Sequence, residues 1–172
     1  MDQIRIPKER IPILIGKKGY IKRKISNLTN TIIKIDSKEG DAIIEGDDGL
    51  NVFLAKKIIH AISRGFNPDI ALSLMDENKV FEIINITDYS KNSQKNIIRL
   101  RSRIIGEQGK ARKNLEYLTN TEISVYGKTI SIIGYYEDVH IARHAIESLL
   151  SGSKHGNVYN YIERQKKLKK DG

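Results

Sequence analysis

The chain has 172 residues, a formal net charge of +9, 30% charged and 39% hydrophobic residues, and no cysteine. The absence of cysteine excludes disulfides, thiolate metal sites and a cysteine nucleophile. No apolar run approaches the roughly 20 residues needed to span a bilayer, and the start MDQIRIPKER lacks the apolar stretch of a signal peptide. These features imply a folded cytoplasmic chain of one or two domains whose basic surface suits nucleic acid or an anionic membrane.

In chain order, QIRIP alternates polar and apolar residues as a half-buried strand does, with Pro7 ending it. ERIPILIG reads as a short helix leading into a glycine-bracketed loop, Gly16-Lys17-Lys18-Gly19. After Gly19, Ile21, Ile25 and Leu28 share one face of a helix, with Lys22, Arg23 and Lys24 mostly turned outward and Asn30 as its end. TIIKID and AIIEG are β-branched strands joined by the turn SKEGD. From Asp48 to Ser63 a longer helix buries Val52, Ala55, Ile59 and Ile62. RGFNPDIALSLMDEN then gives a turn at Asn67-Pro68 and a short amphipathic helix, apolar enough to pack rather than dangle.

The order β-α-loop-α-β-β-α then recurs. KVFEIINI is a strand, and TDYSKNSQKNIIRLRSRIIG is a longer approach to a second loop, with extra helix carrying Arg99, Arg101 and Arg103. KARKNLEYLTN, TEISVY, a Gly-Lys turn, TISIIG and a helix from about Glu137 to Leu150 complete the second unit. In the closing segment HGNVYNYIERQKKLKKDG, Val158, Tyr161 and Ile162 pin a helix whose basic end is expected to fray. Shifting residues 14–35 by 90 positions onto 104–125 superposes both glycines of each loop and the whole of LTNT. The chain is an internal duplication, divided as 1–64, a helical linker 65–78, 79–152 and a basic tail 153–172.

A Gly-x-x-Gly loop between two helices lets the backbone approach a phosphodiester without a Cβ in the way. The helix that follows offers free N–H groups and the positive end of its dipole. Beside it, Ile15 and Ile21 in the first copy, and Ile105 and Ala111 in the second, are candidates for a floor under unpaired bases, which requires a single strand. One such loop is a weak signal; two in register, each followed by β-β-α, make a strong one.

LIGKKGYIKRKI and RIIGEQGKARKNLEYLTNTEISVYGKTISIIG resemble the core of KH RNA-binding domains. The tandem arrangement, RGFNPDIAL in the linker and GSKHGNVYNYIER near the end are similar to the archaeal counterpart of the Partner-of-Nob (Dim-two) and KRR-type proteins of small-ribosomal-subunit assembly. The resemblance implies an α+β fold of two tandem type I KH domains, each a three-stranded antiparallel sheet backed by helices. It also implies binding of single-stranded small-subunit rRNA near its 3′ end, and contacts with assembly or translation-initiation proteins.

The family's clamp carries over to Gly16, Lys17, Lys18 and Gly19, and to Gly106, Glu107, Gln108 and Gly109. Ile15, Lys22 and Arg23 flank the first; Arg101, Arg103, Ile105, Lys110, Arg112 and Lys113 flank the second. Glu107 departs from a neutral or basic loop, and a carboxylate 4 Å from a phosphate is repulsive by roughly 1 kcal/mol in water. The expectation is a division of labour: Lys17 and Lys18 attract phosphate directly, and the second loop works through its backbone and surrounding cations.

Plainer roles stand beside these. Each helix-borne cation can be a solvated face, and RQKKLKK a soluble helix end. Tyr135, Tyr136, Tyr159 and Tyr161 can stack on bases or pack under the terminal helix. His140 and His144 sit four apart near Glu137 but lack a third ligand, so no metal or cofactor is expected. LTNT reads as helix termination and strand entry. With no carboxylate cluster, Walker-type loop or activated nucleophile, an enzyme is not expected. Two alternatives remain: a KH scaffold that mainly docks proteins, and a general RNA or single-stranded DNA regulator.

Overall fold

The computed structural model describes residues 1–91 and 93–172, which divide into two units, Met1–Glu77 and Asn78–Gly172. Asn92, in the expected approach to the second loop, lies outside the described residues.

In the first unit β1 (Asp2–Arg5) is followed by a 3-10 turn and α1 (Ile11–Ile15), whose early Pro12 fits a helix start. Past the loop come α2 (Tyr20–Thr29), β2 (Ile32–Asp36), β3 (Asp41–Glu45) and α3 (Gly49–Ser63). The strands form an antiparallel sheet of order β1-β3-β2, with Gln3 opposite Ile43 and Ile33 opposite Ile44. Leu14, Ile25, Ile44, Ile58, Ile59 and Ile62 are fully buried. Asp48 caps α3 by accepting the Leu50 N–H. Asn67 does the same for α4 (Pro68–Leu72), which packs on α3 and buries Ala71.

The second unit repeats this plan with β4 (Lys79–Asn85), a short α5 (Thr87–Ser90), α6 (Gln94–Ile105), α7 (Lys110–Thr119), β5 (Glu122–Tyr126), β6 (Thr129–Tyr135) and α8 (Tyr136–Leu150). The sheet order is β4-β6-β5, again antiparallel. Its core joins Ile97, Leu100 and Ile104 of α6 to Leu115, Ile130, Ile132 and the inner face of α8. None of the described helices is long and apolar enough to cross a membrane.

LTNT ends α2 and α7 as expected, by a mechanism that periodicity alone does not expose. Asn30 and Asn120 take left-handed backbone at φ 52° and 56°, which stops each helix. The buried Thr29 hydroxyl donates to the Ile25 carbonyl at 2.7 Å and lies 2.8 Å from the Thr31 hydroxyl; Thr119 repeats this with Leu115 at 2.6 Å and Thr121 at 2.7 Å. Each first threonine spends its only proton on the carbonyl, so the second donates to it. A satisfied threonine can therefore occupy the core, and Leu28, expected on the buried face of α2, is 49% exposed. Replacing Thr119 by Val should cost about 1–3 kcal/mol in urea denaturation, because it orphans Thr121. The double change Thr119→Val, Thr121→Val should cost less than the sum of the single changes, since it removes both partners.

The basic tail also departs from expectation. Helix α9 (His155–Asp171) is continuous through the lysines rather than frayed, with Val158 and Ile162 buried in the core. Near its end Lys169 reaches Asp138 at 3.1 Å and Glu137 at 3.2 Å, on the first turn of α8. The bond to Asp138 leads the causes that raise the Lys169 pKa. Those acidic residues favour the helix N-terminus, so part of the tail's charge is neutralised within the unit.

Candidate nucleic-acid interface

The two loops have the same backbone. Gly16 has φ 73°, ψ 177° and Gly106 has φ 73°, ψ 176°, a region open essentially to glycine alone. The third positions, Lys18 and Gln108, are left-handed at φ 54° and 56°, and Gly19 and Gly109 follow at φ 76° and 77°. The Gly19 N–H closes the first 3-10 turn onto the Gly16 carbonyl at 3.1 Å, and the Gly109 N–H closes the second onto the Gly106 carbonyl at 3.2 Å. The middle residues, Lys17 and Lys18 in one loop and Glu107 and Gln108 in the other, are exposed, and each loop leads into a helix N-terminus.

The supporting residues divide unequally. A Cβ on Gly16 would lie 2.5 Å from Ile21 Cγ1, and one on Gly106 would lie 2.6 Å from Ala111 Cβ. Ile21 and Ala111 are thus props under the first glycine. Ala111 is buried and supplies no open floor, whereas Ile15 and Ile105 are half-buried. In the first unit Ile15 joins Lys8, Pro12, Gly16 and Ser37 in lining a groove of about 400 Å3. Arg23 is exposed and donates to the Lys18 carbonyl, bracing the loop. Lys22 and Lys24, expected mostly outward with Arg23, are half-buried, and the Lys24 ammonium stands 5.7 Å from the Tyr20 ring centre.

Around the second loop Arg99, Lys110 and Lys113 are exposed and Arg101 half-buried. Two expected cations are engaged elsewhere. Arg103 donates Nε to the Leu149 carbonyl at 3.1 Å and Nη2 to the Ser153 carbonyl, and its own carbonyl accepts the His155 Nε2–H at 2.9 Å. Arg112 holds Glu116 at 2.6 Å, and Glu116 also accepts the Ile123 N–H at 2.9 Å. Burial is the main cause raising the Glu116 pKa, opposed by those two partners.

Of the tyrosines, Tyr159 and Tyr161 pack against the core, and His144 lies against Tyr161 with ring centres 4.8 Å apart. Tyr135 and Tyr136 are exposed. No group of three or more metal-ligating side chains occurs among the described residues. A groove at the end of α7, with Lys79, Tyr117 and Asn120 among its lining residues, is not among the sites expected from the sequence. Its signal was the spacing Lys110, Lys113, Tyr117, Asn120, which places four polar or aromatic residues on one helix face.

Residues 80–167 match the eukaryotic type KH domain (KH-domain type I) in its Pno1 second-domain form, and residues 1–61 match the KH domain. Fold and loops therefore define a tandem KH protein. The KH domain-containing protein MJ0443 of Methanocaldococcus jannaschii is 43% identical over 96% of this chain and 74% of its own length. A crystal structure of an a/eIF2alpha–aDim2p–rRNA complex from Pyrococcus horikoshii contains a chain 45% identical to this one, with a TM-score of 0.90 over 96% of this chain and 93% of that one. The RNA-binding protein pno1 of Dictyostelium discoideum is 30% identical over 61% of this chain, which spans only 44% of that relative's length. The chain belongs to the Dim2/Pno1 family of KH-domain proteins.

Proposed function

We propose that this protein is a non-enzymatic, cytoplasmic factor of small-subunit rRNA maturation that holds single-stranded rRNA near its 3′ end by clamping the backbone with its Gly-x-x-Gly loops. The observation that carries this reading is the loop built twice with one backbone geometry, exposed at a helix N-terminus each time. The Pyrococcus aDim2p chain in complex with rRNA supports it. Because a/eIF2alpha is present in that same complex, we infer that a translation-initiation factor is a protein partner here.

Binding to a single-stranded rRNA fragment should weaken steeply with salt, at a log-log slope of about −0.7 per phosphate contact. Lys17→Gln with Lys18→Gln should lower affinity and flatten that slope, since both side chains are exposed at the loop tip. Glu107→Gln should leave binding unchanged or strengthen it. Fluorescence anisotropy across a salt series tests all of these. Affinity indifferent to salt, or a preference for duplex RNA, would refute the clamp; loss of binding in a folded Glu107→Gln protein would refute the division of labour.

A further inference from the structure

The groove at the C-terminal end of α7 measures about 450 Å3, and its walls include Lys79, Lys113, Tyr117, Asn120, Glu122 and Tyr135. All belong to the second unit. Tyr117 is 85% exposed, with its ring available to a ligand on the helix surface, and Tyr135 is 44% exposed with the Lys79 ammonium 5.4 Å from its ring centre. Lys110 and Lys113 lead from Gly109 toward Tyr117 along the same face of α7. Tyr117 lies eight residues past Gly109, a helical rise of about 12 Å.

The fold does not require these residues. At the 90-residue offset the first copy has Arg23 where the second has Lys113, but Asn27 where it has Tyr117. Gly46 and Gly134 occupy matching places, each facing a threonine and a valine of its own unit, so Asp47 stands where the second copy has Tyr135. One copy thus carries two aromatic rings at a cationic helix face where the other carries an amide and a carboxylate.

We propose that this groove is an RNA subsite extending the strand beyond the second loop, with phosphates following Lys110 and Lys113 and an unpaired base stacked on Tyr117 beside Tyr135. Such stacking is how proteins hold single strands with little sequence preference. The carboxylates fit this arrangement. Glu116 is already paired with Arg112 at 2.6 Å. Glu122 disfavours phosphate but accepts hydrogen bonds from a base edge, as Asn120 also can. The end of the groove therefore receives a base rather than the backbone.

The inference rests on the RNA-binding reading, and its test separates the two. Full-length protein is titrated with a single-stranded RNA of about four nucleotides, the length one KH loop clamps, and with one of about ten. Tyr117→Ala should weaken binding of the longer RNA about tenfold or more while sparing the shorter, and Tyr117→Phe should restore it. Lys79→Gln should weaken only the longer RNA as well. If Tyr117→Ala spares both RNAs, the groove is not an RNA subsite, and a protein contact becomes the reading for that ring. Equal weakening of both would mark a disturbance of the loop and overturn the proposal. Wild-type protein that binds neither RNA would overturn the RNA-binding function itself.

Discussion

Gly106→Ala should lower stability by about 2–3 kcal/mol and reduce affinity for single-stranded RNA at least tenfold. Two costs coincide at this position. The backbone at φ 73°, ψ 176° is one that a residue with a side chain adopts only under strain. The new Cβ would also lie 2.6 Å from Ala111 Cβ and 2.8 Å from the Ala111 nitrogen, and a backbone atom of α7 cannot move aside without moving the helix. Gly109 is a sharp contrast within the same loop. Its φ of 77° is unfavourable for other residues, but its Cβ would meet nothing closer than Lys113 Cε at 4.0 Å. Gly109→Ala should cost only about 1–2 kcal/mol, from backbone strain and not from collision. Denaturant titration and anisotropy on both variants check the ranking; equal losses would show that the close approach to Ala111 does not hold the loop.

Arg103→Gln should destabilise the second unit by about 1.5–3 kcal/mol while leaving the salt dependence of RNA binding by the folded protein unchanged. Its guanidinium bonds two carbonyls where α8 ends, which is the negative end of a helix dipole. Removing it takes a charged donor from both carbonyls; Ser153 is exposed, and the Leu149 carbonyl keeps only the Gly152 N–H at 3.2 Å and the cap N–H of Ser151. Lys113→Gln, by comparison, should leave the melting temperature in place and reduce the salt slope by about 0.7 if that lysine contacts a phosphate. A fall in slope without loss of stability in Arg103→Gln would reassign Arg103 to phosphate contact. Arg10 offers an independent replicate, because it donates Nε to the Ile62 carbonyl and Nη2 to the Phe66 carbonyl, both at 2.9 Å. Arg10→Gln should destabilise the first unit by a comparable amount.

The sequence by itself determined the duplicated order of strands and helices, the position of both loops and the helix ends at Asn30 and Asn120. These are local properties. Period and β-branching select helix or strand, and a helix end in left-handed backbone favours glycine or asparagine, so each is written within a few adjacent residues. What the tertiary structure decided is which charges remain available and which apolar residues are covered. Leu28 is 49% exposed while its neighbour Thr29 is buried, its hydroxyl satisfied by its own turn and by Thr31. The lysines near the end of α9 meet Glu137 and Asp138 some thirty residues earlier. Arg10 and Arg103 make the same pair of bonds to equivalent carbonyls, yet Arg10 precedes its first loop glycine by six residues and Arg103 by three. The 90-residue offset that superposes the loops sets Arg10 against Leu100 and Arg103 against Ile13, and the carbonyls these arginines serve lie 46 to 56 residues away and are gathered only by folding.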